Sequence, residues 1–381
     1  MIYLDNAATT KPYPEAVDAM MDTLTELYGN PSAIYSLGSG AKKRVNLAKR
    51  TIAATIGAKP TEIFFTSGGT ESDNWALRSV CEAYGNRGKH IITTGIEHHA
   101  VLHTCEYLER QGFEVTYLEV NSFGLVSAED VKKAIRPDTI LISVMFANNE
   151  IGTVLPVEEI GALARERGIL FHTDAVQAYG HLPIQVEKLH IDLLSASGHK
   201  FHGPKGVGFL YVRSGVMLPP LLYGGAQERG LRPGTENVPG IAGMEAAAKL
   251  SADRMEENRR REEQLRDYLI DRLEKEIPHC ILNGDRERRL PGNVNVTFPG
   301  LPGETIVLML SHKGICASSG SACTSGEVDP SHVGRAIGLN ERDANSMLRL
   351  TLSAENTLEE LDTVVEELKE IVEKLRSAMK R

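Results

Sequence analysis

The sequence predicts an α/β protein: a mostly parallel sheet with helices on both faces, joined to a smaller α/β domain. Three observations carry this. From about residue 60, short runs rich in β-branched and aromatic residues alternate with longer stretches whose apolar positions recur at helical spacing. The 381 residues exceed what one hydrophobic core usually serves, so one large and one smaller domain are expected. A long helical stretch, from near Gly240 to about Glu276, links the two. Residues 15–255 are expected to form the larger domain, and residues 1–14 with 256–381 the smaller.

In chain order, the N-terminal segment of about 20 residues is expected to pack back against the smaller domain. "EIFFTS", "HIITTG", "EVTYLEV", "ILISVMF", "ILFHTD", "DLLSAS" and "VGFLYV" read as the strands of the sheet. "SAEDVKKAI" and "EEIGALARERG" read as helices between them. The smaller domain holds "GNVNVTFPG", a helix near "GETIVLMLSHKG", a cysteine-bearing loop, "MLRLTLS" and a final amphipathic helix. No internal repeat or low-complexity tract interrupts this order.

Composition narrows the function classes. Hydrophobic content of 41% and charged content of 24% are ordinary for a soluble globular protein. No run approaches the roughly 20 apolar residues that span a bilayer, and "MIYLDNAATT" is not a secretory signal, so a cytoplasmic, non-membrane protein is expected. A net charge of −9 argues against general nucleic-acid affinity. The basic cluster "NRRREEQLR" is interrupted by Glu262 and Glu263 and reads as a solvated helical face. Five cysteines without a CxxC pair fit neither a disulfide framework nor a zinc site. Cys81, Cys105, Cys280 and Cys316 read as packing residues, with Cys316 expected to be buried.

Cys323 differs, because "ASSGSACTSG" surrounds it with small polar residues that cannot bury it. A thiol there is available for chemistry and needs a partner elsewhere. In open α/β sheets ligands bind beyond the carboxyl ends of the strands, so chemistry is expected in the residues just after each strand. Lys200 in "SASGHKFHGPKG" follows a strand and precedes a Gly/Pro-rich turn. It reads either as a surface charge or as a lysine that forms a Schiff base in a desolvated pocket, and its position after a strand favours the second. Just past "ILFHT", Asp174 and Gln177 fit an aldehyde cofactor with a pyridine ring, one at the ring nitrogen and one at the ring hydroxyl. Taken singly, Asp174 reads as a helix N-cap.

"FFTSGGTES" joins a strand to a helix through glycines that let the backbone approach a phosphate, and Thr70 adds a hydroxyl. It matches neither the P-loop nor the dinucleotide fingerprint, which suits a small phosphorylated cofactor. "GIEHHAVL" brings a histidine pair that reads as ring-stacking, proton-shuttling or merely exposed. "FANNEIG" places Asn149 within reach of a cofactor or a substrate carboxylate.

Together with "YLDNAATT", "GNPSAIYSLG", "HTDAVQAYG", "RPGTENVPG", "SSGSACTS" and "LRLTLSAENT", these stretches resemble the cysteine desulfurases, class V aminotransferases that use pyridoxal 5'-phosphate. The resemblance covers essentially the whole chain. It implies a pyridoxal-phosphate fold of type I with a seven-stranded-type sheet, and a homodimer with shared active sites. By the same resemblance Lys200 would carry the Schiff base and move protons at the substrate α-carbon. His98 would stack on the ring and take part in acid–base steps. Asp174 and Gln177 would meet the ring nitrogen and ring oxygen. Gly69, Thr70, Ser197 and His199 would hold the phosphate, and Thr235 would reach the phosphate of the neighbouring subunit. Asn149 and Arg349 would bind substrate, with Arg349 on its carboxylate.

Cys323 would then attack the sulfur of L-cysteine, leaving L-alanine and a persulfide on itself, with a role as transient iron–sulfur ligand also considered; no resident metal is implied. "SSGSACTSGEVDP" resembles the long cysteine loop linked to iron–sulfur cluster assembly and tRNA thiolation. The implied acceptor is an iron–sulfur scaffold or a tRNA-thiolation enzyme. The chain ends at "KLRSAMKR", where cluster-assembly members often carry a longer tail for scaffold docking. A selenocysteine lyase, an aminotransferase without need of Cys323, and a cofactor-binding regulator without turnover are the rival readings.

Overall fold

The structure, a computed structural model, describes residues 1–319 and 330–379. The strands of the larger sheet are β2 (Ile63–Thr66), β3 (His90–Thr94), β4 (Glu114–Leu118), β5 (Thr139–Ser143), β6 (Leu170–Asp174), β7 (Leu193–Ser197) and β8 (Gly208–Val212), after a short β1 (Ile2–Tyr3) at the start of the chain. They lie in the order β2-β8-β7-β6-β5-β3-β4. All run parallel except β8, which is antiparallel to both β2 and β7. Five of the seven are buried along their whole length and β6 at all but Leu170; β4, at the edge, is exposed or half-buried except at Leu118. That accounts for the near-continuous apolar reading of the inner strands.

The helices that cover and flank this sheet are α1 (Pro14–Thr25), α2 (Ser36–Thr55), α3 (Gly69–Tyr84), α4 (His99–Arg110), α5 (Ala128–Ala134), α6 (Val157–Arg167) and α7 (Val238–Glu276). In α6, Val157, Ile160, Gly161, Leu163 and Ala164 turn inward, and Gly168 at φ +67° ends the helix in the left-handed region that glycine tolerates. In α5, Ser127 and Asp130 form a capping box.

The smaller unit contains β9 (Ile281–Leu282), β10 (Asn293–Thr297), α8 (Gly303–His312), β11 (Ile315–Cys316), β12 (Ser318–Ser319), α9 (His332–Ala336), α10 (Glu341–Ala344), β13 (Met347–Thr351) and α11 (Leu358–Met379). Among the described residues its sheet is ordered β12-β13-β10-β9, and β1 pairs in parallel with β11.

Helix α7 belongs to two cores. Ile241, Met244, Ala247 and Ala248 pack into the core beneath the large sheet, whereas Leu265, Leu269, Ile270 and Leu273 pack into the core of the smaller unit. The N-terminal segment divides in the same way: Leu4 joins the smaller core, while Tyr13 and Ala16 join the larger one. Two expectations need correction. The stretch "NRRREEQLR" does form surface pairs, such as Arg260 with Glu256, but Glu262 and Arg266 are buried at the junction of the two units. Cys316 is half-buried, on a two-residue strand whose only sheet partner among the described residues is β1. Cys81 and Cys105 are buried, as packing residues should be.

Candidate active site

Five strand ends converge at the carboxyl edge of the large sheet. Past β7 the chain turns through Gly198–Lys200. The Lys200 amine donates to the carbonyls of Ala7 (2.6 Å) and Ala8 (2.8 Å). Burial, and then the charge of Arg349, push its pKa down to about 8. Gln177 also donates to the Ala7 carbonyl, at 3.0 Å. His199 meets the Thr9 hydroxyl at 3.2 Å, and burial with the nearby Lys200 charge pushes its ring down to about 4. Thus residues 5–10 form a strap across the turn that carries Lys200.

Asp174 closes β6, 5% exposed, and one of its oxygens accepts from the Val176 amide at 2.8 Å. Burial holds its carboxyl above the usual range, opposed by the positive charge available at His98 and Lys200. His98 caps α4: its Nδ1 accepts from the Ala100 amide at 3.1 Å, which leaves the ring proton on Nε2. Burial lowers the pKa of His98, and Asp174 acts against that shift.

Behind this front lies a second set of buried acids. Glu97 accepts from the Thr94 hydroxyl (2.7 Å) and the Met145 amide (2.9 Å), and burial pushes it up to about 8. Burial, and then the neighbouring Asp174, raise Asp73 well above the carboxylate range. His172 bonds the hydroxyls of Ser143 (2.8 Å) and Ser195 (3.1 Å) and lies 3.6 Å from Asp73. Its pKa is pushed down to about 3 by burial, so the ring is neutral and its contact with Asp73 is not an ion pair. Asp174 is left as the carboxylate with cationic neighbours.

The turn from β2 into α3 passes through Gly68 (φ +155°) and Gly69. A Cβ on Gly69 would lie 2.6 Å from Val176 Cγ2, and one on Gly68 would touch the Ser197 hydroxyl at 3.4 Å. The α3 N-terminus carries no side-chain cap, so first-turn N–H groups are free for an anion. From the smaller unit, Arg349 on β13 reaches the same place. It donates to the Asn149 carbonyl at 3.0 Å and pairs with Asp5 at 2.9 Å, while its Nε has no partner among the described residues.

The class-V aminotransferase family matches residues 2–364. A cysteine desulfurase IscS of Methanosarcina thermophila is 56% identical over 364 residues, 96% of this chain and 90% of that protein. This chain belongs to the class-V aminotransferase family. Another cysteine desulfurase IscS, from Clostridium botulinum, is 52% identical over 366 residues, covering 96% of this chain and 92% of its own. Among solved structures, a NifS-like protein superposes with a TM-score of 0.92 at 40% identity, covering 98% of this chain and all of that one. SspA in complex with cysteine superposes with a TM-score of 0.82 at 38% identity, covering 94% of this chain and 100% of that one. The architecture is therefore that of pyridoxal-phosphate enzymes of fold type I, and the two sequence relatives are named cysteine desulfurases.

Within this class-V aminotransferase the fold brings Lys200, His98, Asp174, Gln177, Ser197, His199, Gly69 and Arg349 to one edge of the sheet. Asn149 contributes its backbone carbonyl there. Thr70 is exposed at the start of α3. Thr235 is exposed in a loop that shares a cleft of about 200 Å³ with Ser67, Gly206 and Arg232, and makes no hydrogen bond to the Lys200 cluster among the described residues. Cys323 lies outside the described residues. The residues present fit pyridoxal phosphate: a desolvated amine, a carboxylate facing it, and a glycine turn that a Cβ would fill. No His/Cys/Asp/Glu group among the described residues could hold a metal ion, and no described helix is long and apolar enough to cross a membrane.

Sequence reasoning missed Asp5, the carbonyls of Ala7 and Ala8, and the acids Asp73 and Glu97. Glu97 had one signal, its place beside His98. The strap residues lay in the motif "YLDNAATT", but nothing there assigned them a role, since their partners lie nearly 200 or more positions away.

Proposed function

We propose that this protein is a pyridoxal-phosphate-dependent cysteine desulfurase that converts L-cysteine to L-alanine and leaves the sulfur as a persulfide on Cys323. The carrying observation is Lys200: an amine with its pKa pushed down to about 8, on a short turn at a strand end, within the electrostatic reach of Asp174 and Arg349. Pyridoxal phosphate, when bound, supplies an aldehyde for an amine and a ring that accepts the electron pair released at the substrate α-carbon.

The chain does the rest. Lys200 would hold the cofactor and then carry a proton to and from the α-carbon. Asp174 would keep the ring nitrogen protonated, and Glu97 behind it, pushed up to about 8 by burial, would not compete for that proton. His98 would lie over the ring with Nε2–H, and Gln177 would meet the ring oxygen. Gly69, Thr70, Ser197, His199 and the α3 N-terminus would take the phosphate. Arg349, with Asn149, would bind the substrate carboxylate.

The Cys323 thiolate would attack the substrate sulfur: an S–S bond forms, the C–S bond breaks, and the released carbon takes a proton to become the methyl group of alanine. A homodimer would bring Thr235 to the neighbouring phosphate. The persulfide would pass to an iron–sulfur scaffold or a tRNA-thiolation enzyme in the cytoplasm; the relatives named IscS and NifS-like support a sulfur-donating role.

The deciding experiment is Cys323→Ala. The variant is expected to keep the yellow Schiff-base absorbance and to lose sulfide release from L-cysteine by at least ~100-fold. Mass analysis after incubation with L-cysteine should show one added sulfur on the parent and on a scaffold acceptor, and none on the variant. Full sulfide production by Cys323→Ala refutes the nucleophile.

A further inference from the structure

The strap contains a carboxylate to which the site residues discussed so far give no role. Arg349 must leave N–H groups free for a substrate carboxylate, yet it is a long side chain rooted in β13 of the smaller unit. Two contacts fix it: Nη2 pairs with Asp5 at 2.9 Å and Nη1 donates to the Asn149 carbonyl at 3.0 Å. A guanidinium has five N–H groups, so among the described residues three remain, including Nε, which is buried and has no partner there. That donor set is what a carboxylate would require.

We propose that Asp5 is a positioning residue that aims the Arg349 guanidinium at the substrate carboxylate and offsets its charge beside Lys200. The inference rests on the reading of Arg349 given above. Asp5 is itself well anchored: its carbonyl accepts from the Ala8 amide (3.0 Å) and the Tyr3 hydroxyl (3.1 Å), and its backbone bridges to Thr351. The neighbouring Asn6 side-chain amide donates to the Thr351 carbonyl at 2.8 Å, and the Ala7 N–H to the Thr351 hydroxyl at 2.9 Å. The strap therefore keeps its place without the Asp5 carboxylate, so that group is free to serve the guanidinium. Its charge matters because two cations share the pocket: Arg349 lowers the Lys200 pKa and Asp5 acts in the opposite sense.

The test separates carboxylate binding from amine binding in the cofactor-loaded enzyme. L-alanine, the product, carries the carboxylate; ethylamine is the same skeleton without it. Asp5→Asn is expected to raise the KM for L-cysteine and the inhibition constant of L-alanine by about tenfold to a hundredfold, the loss of one charged hydrogen bond. The ethylamine constant should hold, and kcat should change less than KM. Asp5→Glu should fall between the two. Arg349→Lys is the control and should weaken L-alanine at least as much. If Arg349→Lys weakens L-alanine while Asp5→Asn does not, the role of Asp5 is overturned and that of Arg349 stands. If neither variant changes the L-alanine constant, the reading of Arg349 itself falls. Should Asp5→Asn fail to fold, Asp5→Glu carries the test, and an unchanged L-alanine constant overturns the proposal.

Discussion

A lysine amine in water stays protonated up to about pH 10 and is then a poor nucleophile. Lys200 departs from this because burial penalises its ammonium form and Arg349 adds a like charge, giving a pKa of about 8. Below that value the amine is charged and cannot condense with an aldehyde; above it the neutral form is available. Cofactor uptake by the cofactor-free protein should therefore rise with pH through about 8 and level off well before the ordinary lysine range. Stopped-flow absorbance across pH 6.5–10 (roughly the span between ordinary His and Lys pKa values) checks this, and a midpoint near 10 would remove the activation argument. The buried groups behind Asp174 belong to the same scale: burial keeps the His172 ring neutral, pushes Glu97 up to about 8 and raises Asp73, while the positive charge available at His98 and Lys200 opposes the same shift at Asp174.

At the level of elements, the glycine turn ahead of α3 depends on its neighbour β8. Gly208 pairs with Thr66 and with Ser197, and a Cβ there would lie 2.5 Å from the Ala196 carbonyl and 2.7 Å from Gly68 Cα. These are backbone atoms, so neither can yield cheaply. Gly208→Ala should destabilise the protein by ~1–3 kcal/mol in denaturant unfolding. It should also displace the turn proposed to hold the phosphate, seen as loss of cofactor absorbance after gel filtration. Unchanged retention would count against that turn as the phosphate cradle. Helix α7 shows the opposite economy. A polar middle flanked by two apolar patches lets one rigid rod serve two cores, and this is why the charged stretch near Arg259 could be read as solvated although Glu262 and Arg266 are not.

For the whole molecule, the proposed homodimer makes a demand on the surface. Ile34 is fully exposed, and Tyr28, Tyr35, Leu222 and Tyr223 are exposed as well. Large apolar side chains standing free in this way mark candidate contact surfaces. The double variant Ile34→Asp with Tyr223→Asp should shift sedimentation from a dimer toward a monomer and release cofactor faster, because Thr235 would no longer reach its neighbour. A variant that sediments as the parent does would exclude this face as the interface.

The strands were legible because inner parallel strands are buried on both faces and so read as apolar runs, and Lys200, His98, Asp174 and Gly69 because they directly follow such runs. Ordering the seven strands as β2-β8-β7-β6-β5-β3-β4 was not legible, since a period-2 or period-3.6 pattern records which face is buried and not which neighbour buries it. The meeting of Asp5 with Arg349, 344 residues apart, was equally hidden. The sequence by itself determined the chemistry available: an amine, a thiol, a carboxylate and a glycine turn in a fixed order. The tertiary structure alone decided which of those groups share a water-poor pocket, because desolvation and pairing depend on distance in space, which local patterning along a chain does not contain.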